Sequence, residues 1–262
     1  MPAVRWEAIR QEAQALVAHS GDPEAFVAAW EALLTRHADR TFRRGQAVVQ
    51  PRLPTYHLPP AVLAAVWQVL RGHLAARPSL VLPLADRLWA RPDLESRLLA
   101  ARLLGLAETT PPEPLLQRFW AWLEAAPAPE VAEALLQFGT ARLVHEAPAA
   151  YLNAAAQALA DPKRAGLGLK ALLPLVQAPK FENLPRVLKL LTPLLTPPDA
   201  ELRPELTAVL QALVSRWPEE MLPYLRSTWH TSPSPLLAWL IRRVLPRFSP
   251  EQAQSLQQLL RS

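Results

Sequence analysis

The 262-residue chain contains no cysteine and only seven glycines. The first absence excludes a disulfide scaffold, a thiolate zinc site and a cysteine nucleophile, and it fits a reducing compartment. The second leaves no glycine-rich phosphate loop, no dinucleotide fingerprint and no Gly-x-Ser-x-Gly elbow, which sets aside the enzyme classes built on them. The six histidines do not cluster and show no His-Glu-x-x-His spacing, so neither a metal nor a cofactor is expected. Long apolar runs are missing too. The longest stretch without a charged side chain, Leu53 to Leu70, holds three prolines and His57, and its apolar part from Ala61 is too short to span a bilayer. Residues 1–18 mix Arg5, Glu7, Arg10 and Glu12 with apolar positions, as an amphipathic helix does and a secretory leader does not. The expectation is a soluble, cytoplasmic protein with no membrane partner.

What the chain has in quantity is apolar residues, at 50%, and 29 prolines. The apolar half suffices for a continuous core. The prolines act as punctuation: Asp22-Pro23, Thr110-Pro111, Asp161-Pro162, Ser234-Pro235 and Ser249-Pro250 each read as a helix N-cap followed by proline at the first helical position. The apolar periodicity predicts helices throughout, among them 93–107, 129–143, 162–177 and 199–216, joined by links of two to six residues. Prolines 174, 193, 204 and 246 fall inside predicted helices and are expected to kink them.

The stretch Leu88-Trp89-Ala90-Arg91-Pro92-Asp93-Leu94-Glu95-Ser96-Arg97 recurs as Leu194-Leu195-Thr196-Pro197-Pro198-Asp199-Ala200-Glu201-Leu202-Arg203. In each copy a leucine-rich helix ends at proline, an acidic residue caps the next helix, and arginine follows four residues later, which is HEAT-type punctuation. The predicted fold is therefore all-α, a HEAT-like helical repeat solenoid, or α-α superhelix. Residues 1–50 form an N-terminal helix pair and basic loop, and 51–262 one continuous repeat domain.

The formal charge is +5, and its placement is more telling than its size. Between Arg36 and Arg77 seven arginines face Asp39 alone; between Lys163 and Lys189 six basic residues face Glu182; between Arg226 and Arg247 four arginines face no acid. Basic blocks spaced along a repeat scaffold suit a polyanion, because phosphates reward several simultaneous Lys or Arg contacts. Candidate phosphate contacts are Lys163, Arg164, Lys170, Arg203, Arg242 and Arg243, together with Arg43 and Arg44 in the long connection between Asp39 and Pro59. That connection reads equally as a DNA-contacting loop or a surface crossover. Basic residues extending from apolar helices into solvent would leave a protein-interaction scaffold instead. Nine tryptophans, spread over nearly every helix pair, read mainly as packing, with Trp122 and Trp239 as candidates for stacking on bases.

Pro54-Thr55, Leu84-Ala85-Asp86-Arg87-Leu88-Trp89, Glu95-Ser96-Arg97-Leu98-Leu99-Ala100, Arg164 and the segment Asp199 to Leu210 together resemble the AlkD-like DNA alkylation repair family. The likeness covers roughly residues 50 to 248. It implies a HEAT-like glycosylase that holds duplex or branched DNA and releases N3- or N7-alkylated purines without metal or cofactor. Where the family carries Trp-Asp-x-x-Asp, this chain reads Pro129-Glu130-Val131-Ala132-Glu133. The resemblance thus implies Glu133 as the carboxylate that stabilises positive charge on the sugar as the glycosidic bond breaks. The family's first tryptophan is absent and its second aligns near Ala208, so catalysis stays open while DNA binding is expected.

Overall fold

A computed structural model describes residues 6–38, 53–196 and 199–261. The chain is all-α, with no strand among the described residues. It divides into two compact units, Met1–Glu146 and Ala147–Ser262. No helix among the described residues is long and apolar enough to cross a membrane.

The first unit contains α1 (Trp6–Ala18), α2 (Pro23–His37), α3 (Pro60–Ala75), α4 (Pro78–Trp89), α5 (Leu94–Leu104), α6 (Glu113–Glu124), α7 (Pro129–Ala134) and α8 (Leu143–Glu146). Helices two apart in sequence pack on one another, α1 on α3, α2 on α4 and α5 on α7, and sequential neighbours such as α4 and α5 pair as well. The second unit contains α9 (Pro148–Ala160), α10 (Ala165–Gln177), α11 (Leu184–Leu195), α12 (Arg203–Arg216), α13 (Pro218–Thr231), α14 (Pro235–Val244) and α15 (Pro250–Leu259). There α10 packs on α12 and α12 on α14, while α11 packs on α13 and α13 on α15.

Helix starts follow the capping chemistry where a free carboxylate or hydroxyl stands at the right place. Asp22 accepts from the Glu24 and Ala25 amides, Asp93 from Ser96, Ser234 from Leu237, and Ser249 forms a reciprocal capping box with Gln252. Three starts lie later than the sequence predicts. Pro114 and Pro204 lack the N–H that an interior position must donate, so α6 begins at Glu113 and α12 at Arg203, each placing its proline in the first turn. The Asp161 and Asp199 carboxylates instead close lead-in turns, accepting from the Lys163 and Glu201 amides at 2.9 and 2.8 Å. Pro174 and Pro193 do lie inside helices, joined by Pro83 and Pro223, whereas Pro246 sits in a short 3₁₀ turn.

The predicted helix 129–143 is broken. Residues Leu135–Gly139 form a π turn between α7 and α8. Its Phe138 carbonyl lies directly over Gly105, where a Cβ would overlap the oxygen, so glycine is required for this approach.

The residues that carry the repeat signature in the first unit are tied into packing. Glu95 Oε1 accepts from Thr55 Oγ1 (2.8 Å) and from the Tyr56 and Leu58 amides, and Trp30 Nε1 donates to Ser96 Oγ at 2.9 Å. Arg97 Nε donates to the Arg91 carbonyl at 2.8 Å, and its guanidinium lies 4.4 Å from the centre of the Trp89 ring, which stacks on Trp122 at 4.5 Å. Trp122 is only 7% exposed, so this candidate for base stacking belongs to the core.

Candidate nucleic-acid interface

The two units carry different charge. The first holds fifteen Lys and Arg against fifteen Asp and Glu, and the second thirteen against eight, so the whole formal +5 resides in residues 147–262. Six of the eight candidate phosphate contacts belong to that second unit.

Their surroundings differ. Lys163 is exposed in the turn before α10, and Arg164, half-buried, is the N-cap residue of that helix. Lys170 lies 3.6 Å from Glu205 across the α10–α12 contact, so part of its charge is met within the protein. Arg242 is exposed in the last turn of α14. Arg203 and Arg243 share one feature that sets them apart: both guanidiniums lie over the Trp239 ring, 4.8 and 5.0 Å from its centre. Trp239 and Arg243 are four residues apart on α14 and so on one face of it, while Arg203 reaches over from the start of α12.

This cluster gathers two cations on one ring. Each cation gains on the order of 0.5–1 kcal/mol from the ring. Holding two like charges on one ring nevertheless costs repulsion, which an oxyanion would relieve. Neither side chain has a carboxylate or other hydrogen-bond acceptor among the described residues; the side-chain hydrogen bonds that reach these two residues go to their backbone carbonyls, which accept from Thr207 Oγ1 and Gln211 Nε2. Both arginines are exposed, and the ring restrains them without engaging their N–H groups. Arg203, Arg243 and Trp239 are each candidates in the sequence, and the fold brings them together. The signal was present in the interval of 36 residues from Arg203 to Trp239, close to one helix pair, followed by the four-residue step to Arg243.

Other basic residues are structural. Arg216 donates to the carbonyl of Val176 in the last turn of α10 and to those of Ala178, Pro179 and Phe181 just past it, where the helix dipole favours a cation. Arg186 donates to Asn153 Oδ1 beside a groove of about 670 Å³ between α9 and α11, whose rim also carries Lys189.

Glu133 lies exposed on the six-residue α7, and no ion pair among the described residues includes it. It belongs to the first unit, the basic cluster to the second. Arg43 and Arg44 lie outside the described residues. No group of three or more His, Asp or Glu side chains among the described residues is placed to hold a metal ion. Compared with known proteins, the chain matches no family model, no curated protein and no solved structure.

Proposed function

We propose that this chain is a HEAT-like helical-repeat protein that binds DNA through its second unit, with the Arg203–Trp239–Arg243 cluster as the central phosphate contact. The repeat reading is supported by a recurring interval. Side-chain contacts join Asp86 to Arg118, Leu106 to Arg142, Lys170 to Glu205, Gln211 to Arg243 and Ser215 to Arg247, all 32 to 36 residues apart. Such an interval arises when each helix pair stacks on the next and equivalent positions meet. The observation that carries the DNA reading is the pair of exposed guanidiniums held over one ring with no acid partner among the described residues, in a unit that carries all the net charge.

Lys163, Arg164, Lys170 and Arg242 extend the contact along α10 and α14. Phosphate contacts position a duplex without reading its sequence, so binding is expected to be largely sequence-independent. Base-release chemistry of the alkylation-repair kind rests on Glu133 alone.

Titration of a labelled duplex at low salt tests the reading. The double variant Arg203→Ala/Arg243→Ala is expected to bind about a hundredfold more weakly, ~1.4 kcal/mol per arginine, and similarly for unrelated sequences. Undiminished binding by this variant would move the contact away from this cluster, whereas a wild type that does not bind the duplex would favour a protein-interaction scaffold. The same preparations, incubated with methylated DNA, decide the chemistry: base release by wild type that disappears in Glu133→Gln identifies a glycosylase.

A further inference from the structure

The first unit contains an arginine unlike its neighbours. Most of its described arginines find acids or carbonyls: Arg36 with Glu12, Arg91 with Glu31 and Asp93, Arg118 with Asp86, Arg142 with Glu146, Arg97 with the Arg91 carbonyl. Arg102, half-buried in α5, has neither an acid nor any hydrogen-bond acceptor among the described residues. Its guanidinium instead stands between two aromatic rings, 5.9 Å from the centre of Trp67 on α3 and 4.9 Å from that of Phe138 in the π turn. The three residues lie 35 and 36 positions apart, at equivalent places in successive helix pairs, so they form a row of aromatic, cation, aromatic.

Burial pulls the Arg102 guanidinium below the usual arginine range with nothing to offset it, whereas Arg118 and Arg142 are raised, foremost by hydrogen bonds to Asp86 and Glu146. A partly desolvated cation with free N–H donors attracts an oxyanion more strongly than an exposed one, because less water screens it. Phe138 is presented by a π turn, an irregularity frequent at functional sites. Both rings are partly exposed and so open to a second planar group.

We infer that Trp67, Arg102 and Phe138 form a binding site for single-stranded nucleic acid, in which Arg102 holds one phosphodiester and the two rings stack the flanking bases. A cation between two aromatic platforms matches the order base, phosphate, base along a single strand, and in a duplex those base faces are already stacked on one another. The inference rests on the nucleic-acid reading of the chain but on different residues, so the two can fail separately.

The test is titration of the full chain into a labelled 12-nucleotide single strand, the same strand lacking bases, and a duplex. Arg102→Gln is expected to weaken single-strand binding about tenfold. Trp67→Leu and Phe138→Leu should each weaken it by about 5- to 150-fold, the range of one lost base stack. The strand without bases should bind the wild type more weakly and be indifferent to the two ring variants. Duplex affinity should be unchanged in all three variants and fall only with Arg203→Ala/Arg243→Ala. Unfolding midpoints measured alongside identify folded variants, and Arg102→Lys, which keeps the charge, stands in if Arg102→Gln unfolds. Wild-type single-strand affinity in folded Arg102→Gln or Phe138→Leu, or an equal loss on duplex, would overturn the site. Undiminished duplex binding by Arg203→Ala/Arg243→Ala would overturn the second-unit reading and leave this one standing.

Discussion

Arg216 shows how a single side chain can hold a fold whose helices are themselves ordinary. Its two terminal nitrogens donate to four carbonyls, that of Val176 in the last turn of α10 and three in the segment that follows it, and the last carbonyls of a helix lack intrahelical partners. Removing the guanidinium strands those carbonyls, so Arg216→Ala is expected to lower unfolding stability by about 2 to 3 kcal/mol, read as a shifted urea midpoint. Arg216→Lys should recover only a minor part, because one ammonium cannot reproduce the planar fork. An unchanged midpoint in Arg216→Ala would show that water satisfies these carbonyls equally well. Neither this clip nor the approach of Phe138 to Gly105 was legible in the sequence. Both join residues some 33 to 40 positions apart, and nothing local distinguishes Arg216 from any arginine near a helix end. Asp93 was legible, since its cap is made three residues away.

Among the elements, α8 depends on an ionised carboxylate. Glu146, its last residue, accepts two hydrogen bonds from Arg142 at 2.8 Å and one from Thr109, and these hold its carboxyl below the usual value. Glu12 is also lowered: burial opposes its charge, but Arg36 and His37 outweigh that. A carboxyl with a depressed folded value binds fewer protons folded than unfolded. It therefore contributes stability that is present above the ordinary carboxylate pKa and is lost as pH falls through the folded value. The first unit is expected to lose stability on acidification below about pH 4.5, and Glu146→Gln should flatten that slope. Equal slopes for wild type and variant in denaturant titrations from pH 6 to 3 would contradict this assignment. Helix existence and type were readable from apolar periodicity at nearly every element, because each helix buries one stripe. The sequence misplaces the starts of α6 and α12 because Pro111 after Thr110 marks one cap and the acid at Asp199 the other, when Pro114 and Pro204 further on claim the first turn. The π turn was hidden because its cause, the close packing of Phe138 on α5, is tertiary.

At the scale of the whole molecule, the decisive feature is the uneven charge, neutral in one unit and +5 in the other. The basic blocks were visible in the sequence, but their fates were not. Lys170 faces Glu205 and Arg216 is consumed in capping, whereas Arg203 and Arg243 converge on Trp239 with no acceptor for their side-chain donors among the described residues. Distance along the chain could not separate these cases; the partner each side chain meets one helix pair away does. The most direct measurement is the salt dependence of duplex affinity for wild type and Arg203→Ala/Arg243→Ala. Each phosphate contact contributes ~0.9 to the slope of log affinity against log salt, so the double variant should show a slope shallower by about 1.8, with little change in its dependence on sequence. Parallel slopes for the two proteins, or a wild type whose affinity does not respond to salt, would contradict the account.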